Sequence, residues 1–272
     1  MTEAAARVRQ HYSAPRLTDR IKSALLTIAP EDQTLTVAQL APLDQFHIRG
    51  VLATAELAGA VGLTPSTRVL DIGSGIGGPA RYLAANFACH VTGVDLSPDF
   101  VDTATYLTQR SGLSGRVIFW VGDALHLPFS DASFDAVFLQ HVAMNIEDRR
   151  ALYSEVRRIL APGGRFATHD VVLRAGGVVY PVPWARDQST SFLRSEEGTR
   201  SALEQAGFKA DLWRDDTQVA MDWFQASFAG PPPSGPNLGL VIGPDFRLFT
   251  ANLARNLREN RLGVLSAILT HD

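Results

Sequence analysis

The chain has 272 residues, 46% of them hydrophobic, with 25 Lys and Arg against 28 Asp and Glu for a formal net charge of -3. That composition excludes a disordered chain, and the lack of a dense basic block argues against nucleic acid as a partner. A lone cysteine, Cys89, can form neither an intrachain disulfide nor a typical structural zinc site, and it reads as a small buried strand residue.

The opening "MTEAAARVRQHYS" lacks the apolar core of a signal peptide, and no apolar run reaches the ~20 residues of a membrane span. A soluble cytoplasmic protein with no membrane partner is expected. Residues 1–65 read as helical, most clearly in "RLTDRIKSALLTIAP" and "HIRGVLATAELAGAVG". They form an N-terminal cap over the sheet edge or a cleft, ahead of a domain spanning 66–272.

From about residue 67 to 173, apolar β-branched runs alternate with helical patterns. "TRVLDIG", "CHVTGVD", "RVIFWVG", "FDAVFLQ" and "GRFATHDVV" read as strands whose near-continuous apolarity suits burial on both faces of a parallel sheet. "GGPARYLAANF", "SPDFVDTATYLTQRSG" and "DRRALYSEVRRILAPGG" read as helices, the last carrying the stripe Leu152, Val156, Ile159, Leu160. Repeated βα units define an open α/β sheet with helices on both faces. Residues 174–193 fit neither period, and an irregular stretch of that length points to a functional insert. "SEEGTRSALEQAG" and "QVAMDWFQASFA" are further helices around the strand "FKADLWRDD", "GPPPSGPNLGLVIGP" is a loop, and a helix over 245–260 precedes the strand-like "GVLSAILTHD".

Between the first strand and its helix stands "VLDIGSGIGGPARYLA", with Gly73, Gly75, Gly77 and Gly78 in six residues. Such a turn brings backbone N–H groups close to a ligand, and in open α/β sheets ligands sit where strand order reverses. "GSGIGG" comes near the dinucleotide pattern, with Asp95 at the end of the second strand. Asp71, just ahead of the glycines, is a poor neighbour for a pyrophosphate and a good one for an ammonium group or positive centre. Asp123, in "GDALHLPF" after the third strand, is placed to accept from an adenine amino group.

"VLDIGSGIGG", "VTGVDLSPDFV", "GDALHLPFSDASFDAV" and "LYSEVRRILAPGGRFATHDVV" resemble, in order and spacing, the successive motifs of class I S-adenosylmethionine-dependent methyltransferases. The resemblance covers 67–173. It implies a Rossmann-like, seven-stranded, mostly parallel sheet whose last strand, "GVLSAILTHD", is antiparallel and inserted between the fifth and sixth. It also implies that Asp71, Gly73, Ser74, Gly75 and Gly77 hold the methionine end of the cofactor. Asp95 would bind the ribose hydroxyls, Leu96 pack on the adenine, Asp123 and Ala124 meet its edge, and Gln140 and His141 lie beside the sulfonium. "LDQFHIRG" resembles the segment that folds over the cofactor in small-molecule members similar to sarcosine and dimethylglycine N-methyltransferases, which marks Asp44, Gln45, Phe46 and His47 as cleft residues and favours nitrogen as acceptor, ahead of oxygen or carbon.

Methyl transfer from a sulfonium is an in-line displacement, for which a protein aligns the nucleophile, excludes water and, where needed, removes a proton. His141 and His47 are the candidate catalytic groups. His169, on the fifth strand, is ambiguous. The insert at 174–193 and the 215–245 region are expected to overhang the cleft with Tyr180, Trp184, Phe192, Trp223, Phe224 and Phe228. Trp184 and Phe46 are candidate substrate contacts through burial or cation–π interaction, and Arg186 through a substrate carboxylate. No H-x-x-x-H or H-E-x-x-H pattern supports a metal. Three alternatives stay open: a nucleic-acid methyltransferase, although "QHVAMN" follows the fourth strand; a nicotinamide-dependent oxidoreductase, although no Tyr has Lys four residues on; and a cofactor-binding protein without methyl transfer.

Overall fold

A computed structural model describes residues 2–229 and 235–271, with the side chains of 228 and 229 outside the description. The Phe228 side chain and the proline run of "GPPPSG" therefore lie outside the description. Seven strands form one sheet in the order β3-β2-β1-β4-β5-β7-β6: β1 Arg68–Ile72, β2 His90–Asp95, β3 Val117–Val121, β4 Phe134–Gln140, β5 Leu160–Leu173, β6 Lys209–Asp215 and β7 Leu262–Thr270. β1 to β5 pair in parallel, and β7 runs antiparallel between β5 and β6. The expected seven-stranded Rossmann-like architecture is thus borne out, inserted last strand included.

Alternation along the central strands explains their apolarity. Leu70, Ile72, Val137 and Leu139 pack into one core with Leu152, Val156 and Ile159 of α7 (Arg149–Ile159). Val69, Ala136 and Phe138 pack into a second core with Ala80 and Leu83 of α5 (Gly78–Phe87). Each α7 side chain of that stripe is fully buried, which stabilises the helix–sheet contact by roughly 1.5–3 kcal/mol apiece. Leu160, read as part of that helix, instead starts β5. β3 departs from the expectation of burial on both faces. It is an edge strand, and Ile118, Trp120 and Val121 are each about half exposed.

Ahead of the sheet come α1 (Glu3–His11), α2 (Leu17–Leu25), α3 (Val37–Asp44) and α4 (Val51–Val61). A reciprocal capping box of Thr36 and Gln39 starts α3. α2 packs on α6 (Pro98–Arg110), α3 and α4 on α5, and α1 lies against the segment 188–190. The irregular 174–193 stretch is pinned by Asn256 of α11 (Phe246–Arg258), which binds the Val179 amide and carbonyl, and by Asn145, whose amide reaches the Trp184 and Thr190 carbonyls. α8 (Glu196–Gln205) and α9 (Thr217–Ala229) flank β6. The region read as a loop before α11 contains a short helix, α10 (Leu238–Ile242), capped by the Asn237 side chain. Among the described residues no helix is long and apolar enough to cross a membrane.

Candidate active site

Strand order reverses between β1 and β4, and their carboxyl ends open into a cavity of ≈ 1530 Å³. Gly73, Ser74 and Gly75 form one wall, Asp95 and Leu96 follow β2, Asp123 and Ala124 follow β3, and Gln140 and His141 close the end of β4. The sequence-predicted residues from four separate turns therefore meet around one space.

The glycine loop is as tight as its composition implies. Gly73 has φ +69°, and a Cβ there would fall 2.3 Å from Val142 Cγ2. At Gly78 a Cβ would fall 2.1 Å from the Asp44 carbonyl oxygen. Gly77 and Asp71 lie behind the cavity wall rather than in it. Gly77 makes room for Phe119 and Arg81, and Asp71 faces the first turn of α5, where the Ala80 amide meets it. Burial, with Asp95 as a second negative neighbour, pushes the Asp71 carboxyl up to about 8.

Asp95 takes the Gly75 amide on Oδ2 at 2.8 Å and the Ser97 amide on Oδ1 at 2.9 Å. Burial raises it to about 6 even so. Asp123 takes the Leu125 amide on Oδ1 at 3.0 Å, while its buried Oδ2 accepts no hydrogen bond. Ser74 Oγ, Asp71 Oδ2 and Gln140 Nε2 are also buried without a hydrogen-bond partner. Such groups are costly unless something pairs with them.

Three histidine rings gather at the ends of β4 and β5. His141 sits just after β4 at φ +54°, with its amide donating to the His169 carbonyl at 2.8 Å. Its Nε2 is buried and unpartnered, and desolvation holds the ring well below its usual value, hence neutral. His47 lies 6.2 Å away, centroid to centroid. Thr54 gives its hydroxyl proton to Gln140 Oε1 at 3.1 Å, so His47 Nε2–H donates to the Gly50 carbonyl at 2.8 Å. Burial pushes His47 down to about 3.

The remaining candidates take different places. Phe46 lies over Gly75 and packs on Phe100 at 5.8 Å, so it belongs to the loop side of the cavity. Asp44 is tied to Arg81 at 2.7 Å, and Gln45 is buried with its amide donating to Asp44 at 3.3 Å. Trp184 lines the cavity but is only 1% exposed, with its indole N–H on Ser191 Oγ at 3.0 Å. Arg186 stands at the mouth, 66% exposed, paired with Asp245 at 2.9 Å and over the Phe249 ring. Tyr180, Trp223 and Phe224 pack in the core behind. Sequence reasoning named no side chain of α1 or α11 in the cavity, yet Val8 of α1, Tyr12 just after it, and Phe249 and Leu253 of α11 line it. Helical periodicity alone does not say which apolar face covers a cavity.

Residues 70–168 match the protein family described as methyltransferase domain. Over 114 residues, 42% of this chain and 30% of the other, the sequence is 39% identical to a sterol 24-C-methyltransferase of Gibberella zeae. The chain spans about 30% of the length of the first curated relatives it matches. The fold superposes on a geranyl diphosphate C-methyltransferase from Streptomyces coelicolor, held with geranyl diphosphate and S-adenosyl-L-homocysteine, with a TM-score of 0.72 at 17% identity, covering 100% of this chain and 98% of that one. It also superposes on phosphoethanolamine N-methyltransferase 2 of Haemonchus contortus, with a TM-score of 0.73 at 21% identity, covering 97% of this chain and 60% of that one. Residues 70–168 thus carry a methyltransferase domain, and the Streptomyces neighbour holds S-adenosyl-L-homocysteine, the demethylated form of S-adenosylmethionine.

The residues present fit that cofactor. Asp123 Oδ2 is an unfilled acceptor, as a ligand with an adenine amino group requires, and Asp71 offers beneath the loop a carboxyl that a cationic ligand would draw into its charged form. Ser74 Oγ and Gln140 Nε2 are unfilled donors suited to a carboxylate and to polar atoms beside it.

Proposed function

We propose that the protein methylates a hydroxyl group of a largely apolar small molecule, with His141 as general base. S-adenosylmethionine supplies, when bound, a methyl carbon already activated on a sulfonium. Asp95 is the residue proposed to hold its ribose, Asp123 and Ala124 its adenine edge with Leu96 against the ring, and Gly73, Ser74 and Gly75 its amino-acid tail. The observation that carries the reading is the neutral His141 ring at the end of β4, its Nε2 buried and without a partner. A neutral imidazole there accepts the proton that a hydroxyl loses as it attacks, and the apolar wall of Val8, Met144, Phe249 and Leu253 excludes water around it.

Nitrogen, which the segment "LDQFHIRG" favours by resemblance, is the second reading. A cationic amine needs a carboxylate or an open aromatic face nearby. Asp44 is instead consumed by Arg81, and Asp95 and Asp123 sit on the cofactor side. The helices at 1–65 are proposed as a cap that closes the cleft from the side of α1.

The test incubates the protein with S-adenosylmethionine and panels of apolar alcohols, phenols, amines and carbon acids, followed by mass spectrometry for the added methyl group. His141→Asn is the companion variant, since Asn tolerates the left-handed backbone. It should lower kcat on the accepted substrate by roughly 10²–10⁴-fold, the usual worth of general-base catalysis, with cofactor affinity within about twofold. Equal turnover by the variant removes His141 from the chemistry.

A further inference from the structure

Behind the cavity wall runs a chain of buried side chains that the proposed reaction does not use. His169, on β5, is fully buried and does not line the cavity. The antiparallel register of β5 and β7 sets it directly opposite Ser266. Its Nδ1 lies 2.8 Å from Ser266 Oγ, and that hydroxyl donates to Asp216 Oδ2 at 2.6 Å. Asp216, 2% exposed, is held by Arg214 Nε at 2.5 Å, with Arg49 Nη1 at 4.0 Å. Glu56 pairs with both arginines and balances the cluster.

A serine hydroxyl has one proton, and here the Asp216 carboxylate, flanked by two guanidinium groups, takes it. His169 Nδ1 must therefore donate to Ser266. On the ring's far side, Nε2 abuts the Ile48 carbonyl at 3.2 Å. With its single proton on Nδ1 the neutral ring has none to give at Nε2, so the Ile48 carbonyl only packs there, and the Ser266 bond together with full burial fixes the ring plane.

His141 stacks on that plane, with centroids 5.3 Å apart and an interplanar angle of 27°. No hydrogen bond orients the His141 ring among the described residues; its Nε2 is bare. His47 meets His169 edge-on at 6.0 Å and His141 at 6.2 Å. The ring proposed to do the chemistry is aimed by stacking alone.

We infer that His169, locked by Ser266 and Asp216, is a positioning residue: it presents the flat, immobile surface that holds the His141 ring in one orientation at the cavity wall. The activity arm of this inference rests on the methyl-transfer reading, whereas the spectroscopic arm does not. Losing Ser266 Oγ frees the His169 ring to turn, and the His141 ring above it loses its fixed orientation.

The experiment uses the full chain labelled with ¹³C,¹⁵N-histidine and saturated with S-adenosyl-L-homocysteine, its His141 ring signals identified by their loss in His141→Asn. In Ser266→Ala those signals should shift and broaden, and Ser266→Thr, which keeps the hydroxyl, should restore them. Homocysteine-analogue affinity should stay within about twofold in both, and kcat in Ser266→Ala should fall about tenfold with the acceptor KM little changed, the worth of ~1.4 kcal/mol in a barrier. Asp216→Asn, which keeps the shape and removes the charge, is the second variant and should move the same signals. Unmoved His141 signals in the folded variants overturn the inference. If the signals move but no form of the protein methylates any acceptor, the methyl-transfer reading falls and the positioning role stands.

Discussion

Beneath the glycine loop, the Asp44 carboxylate meets the Arg81 guanidinium at 2.7 Å, with Arg81 wholly buried and Asp44 2% exposed. Arg81 also donates to the Ile76 carbonyl at 2.8 Å and to Thr108 Oγ1 at 3.2 Å, so one side chain links α3, the loop and α6. A buried pair of this kind is weak evidence of net stabilisation, but breaking it leaves a charge with no partner.

Arg81→Met should therefore destabilise the fold by about 3–5 kcal/mol. Thermal melts monitored by circular dichroism should show a drop of roughly 6–20 °C, at the 2–4 °C per kcal/mol expected for a chain of this size. The double variant Arg81→Met, Asp44→Leu should melt above the single one, because no uncompensated charge remains. A single variant that melts like the wild type would show that the pair holds nothing together.

Asp95 performs two tasks, fixing the loop through Gly75 N–H and α6 through Ser97 N–H while facing the cavity. Asp95→Ala should weaken S-adenosylmethionine binding by about 10–100-fold, the range for losing charge-assisted hydrogen bonds of ~1.5–3 kcal/mol. Asp95→Asn should fall between, since its amide nitrogen must face one of the two backbone N–H groups it cannot accept from. Calorimetric titration measures both, and unchanged affinity in the alanine variant would detach Asp95 from the cofactor.

How much of this was legible beforehand follows from what each residue depends on. Asp95, Asp123 and His141 line the cavity, a placement readable in the sequence because strand ends and the turns after them are local events. Asp44 lines the cavity as its neighbours in sequence suggest, but its partner Arg81 is 37 residues away, and only the packing of α3 on α5 brings them together. His169 stayed ambiguous for a similar reason. Its meaning depends on the register with Ser266 on β7 and with Gln140 on β4, and register across a sheet is set by tertiary packing. α10 lay inside a stretch whose prolines and glycines mask a five-residue helix.

The raised Asp71 carboxyl makes cofactor binding a proton-linked event. At about 8 in the free protein, Asp71 is mostly protonated at pH 7, and a ligand bearing a sulfonium and an ammonium favours its charged form. S-adenosylmethionine binding at pH 7 should release a fraction of a proton, read as a buffer-dependent enthalpy between phosphate and Tris, and affinity should rise as pH climbs from 6 toward 8. Asp71→Asn should abolish the buffer dependence. Stability of the free protein has the opposite slope. A folded-state carboxyl raised above its ordinary value of 3.8 favours folding below that value, and this contribution is lost as pH rises through about 8. The free wild type should lose Tm between pH 6 and 8.5 more steeply than Asp71→Asn, and parallel slopes would place Asp71 outside the linkage.

Arg186 separates an apolar acceptor from an acidic one. Its guanidinium is already matched by Asp245 at 2.9 Å and lies 5.4 Å from the Phe249 ring, so a substrate carboxylate would have to displace a partner held at the same mouth. An exposed pair of this kind is worth at most about 1 kcal/mol. Arg186→Ala should therefore leave stability nearly unchanged and, with an apolar hydroxylated acceptor, leave KM within about twofold, because exposed charges at a cavity rim add little to binding. Leu253→Ala, by contrast, removes apolar surface from the wall itself, and KM should rise about tenfold for the ~1–3 kcal/mol that apolar pocket contacts supply. A reversed pattern, with KM sensitive to Arg186 and indifferent to Leu253, would assign the cavity to an anionic acceptor and move the search toward carboxylated substrates.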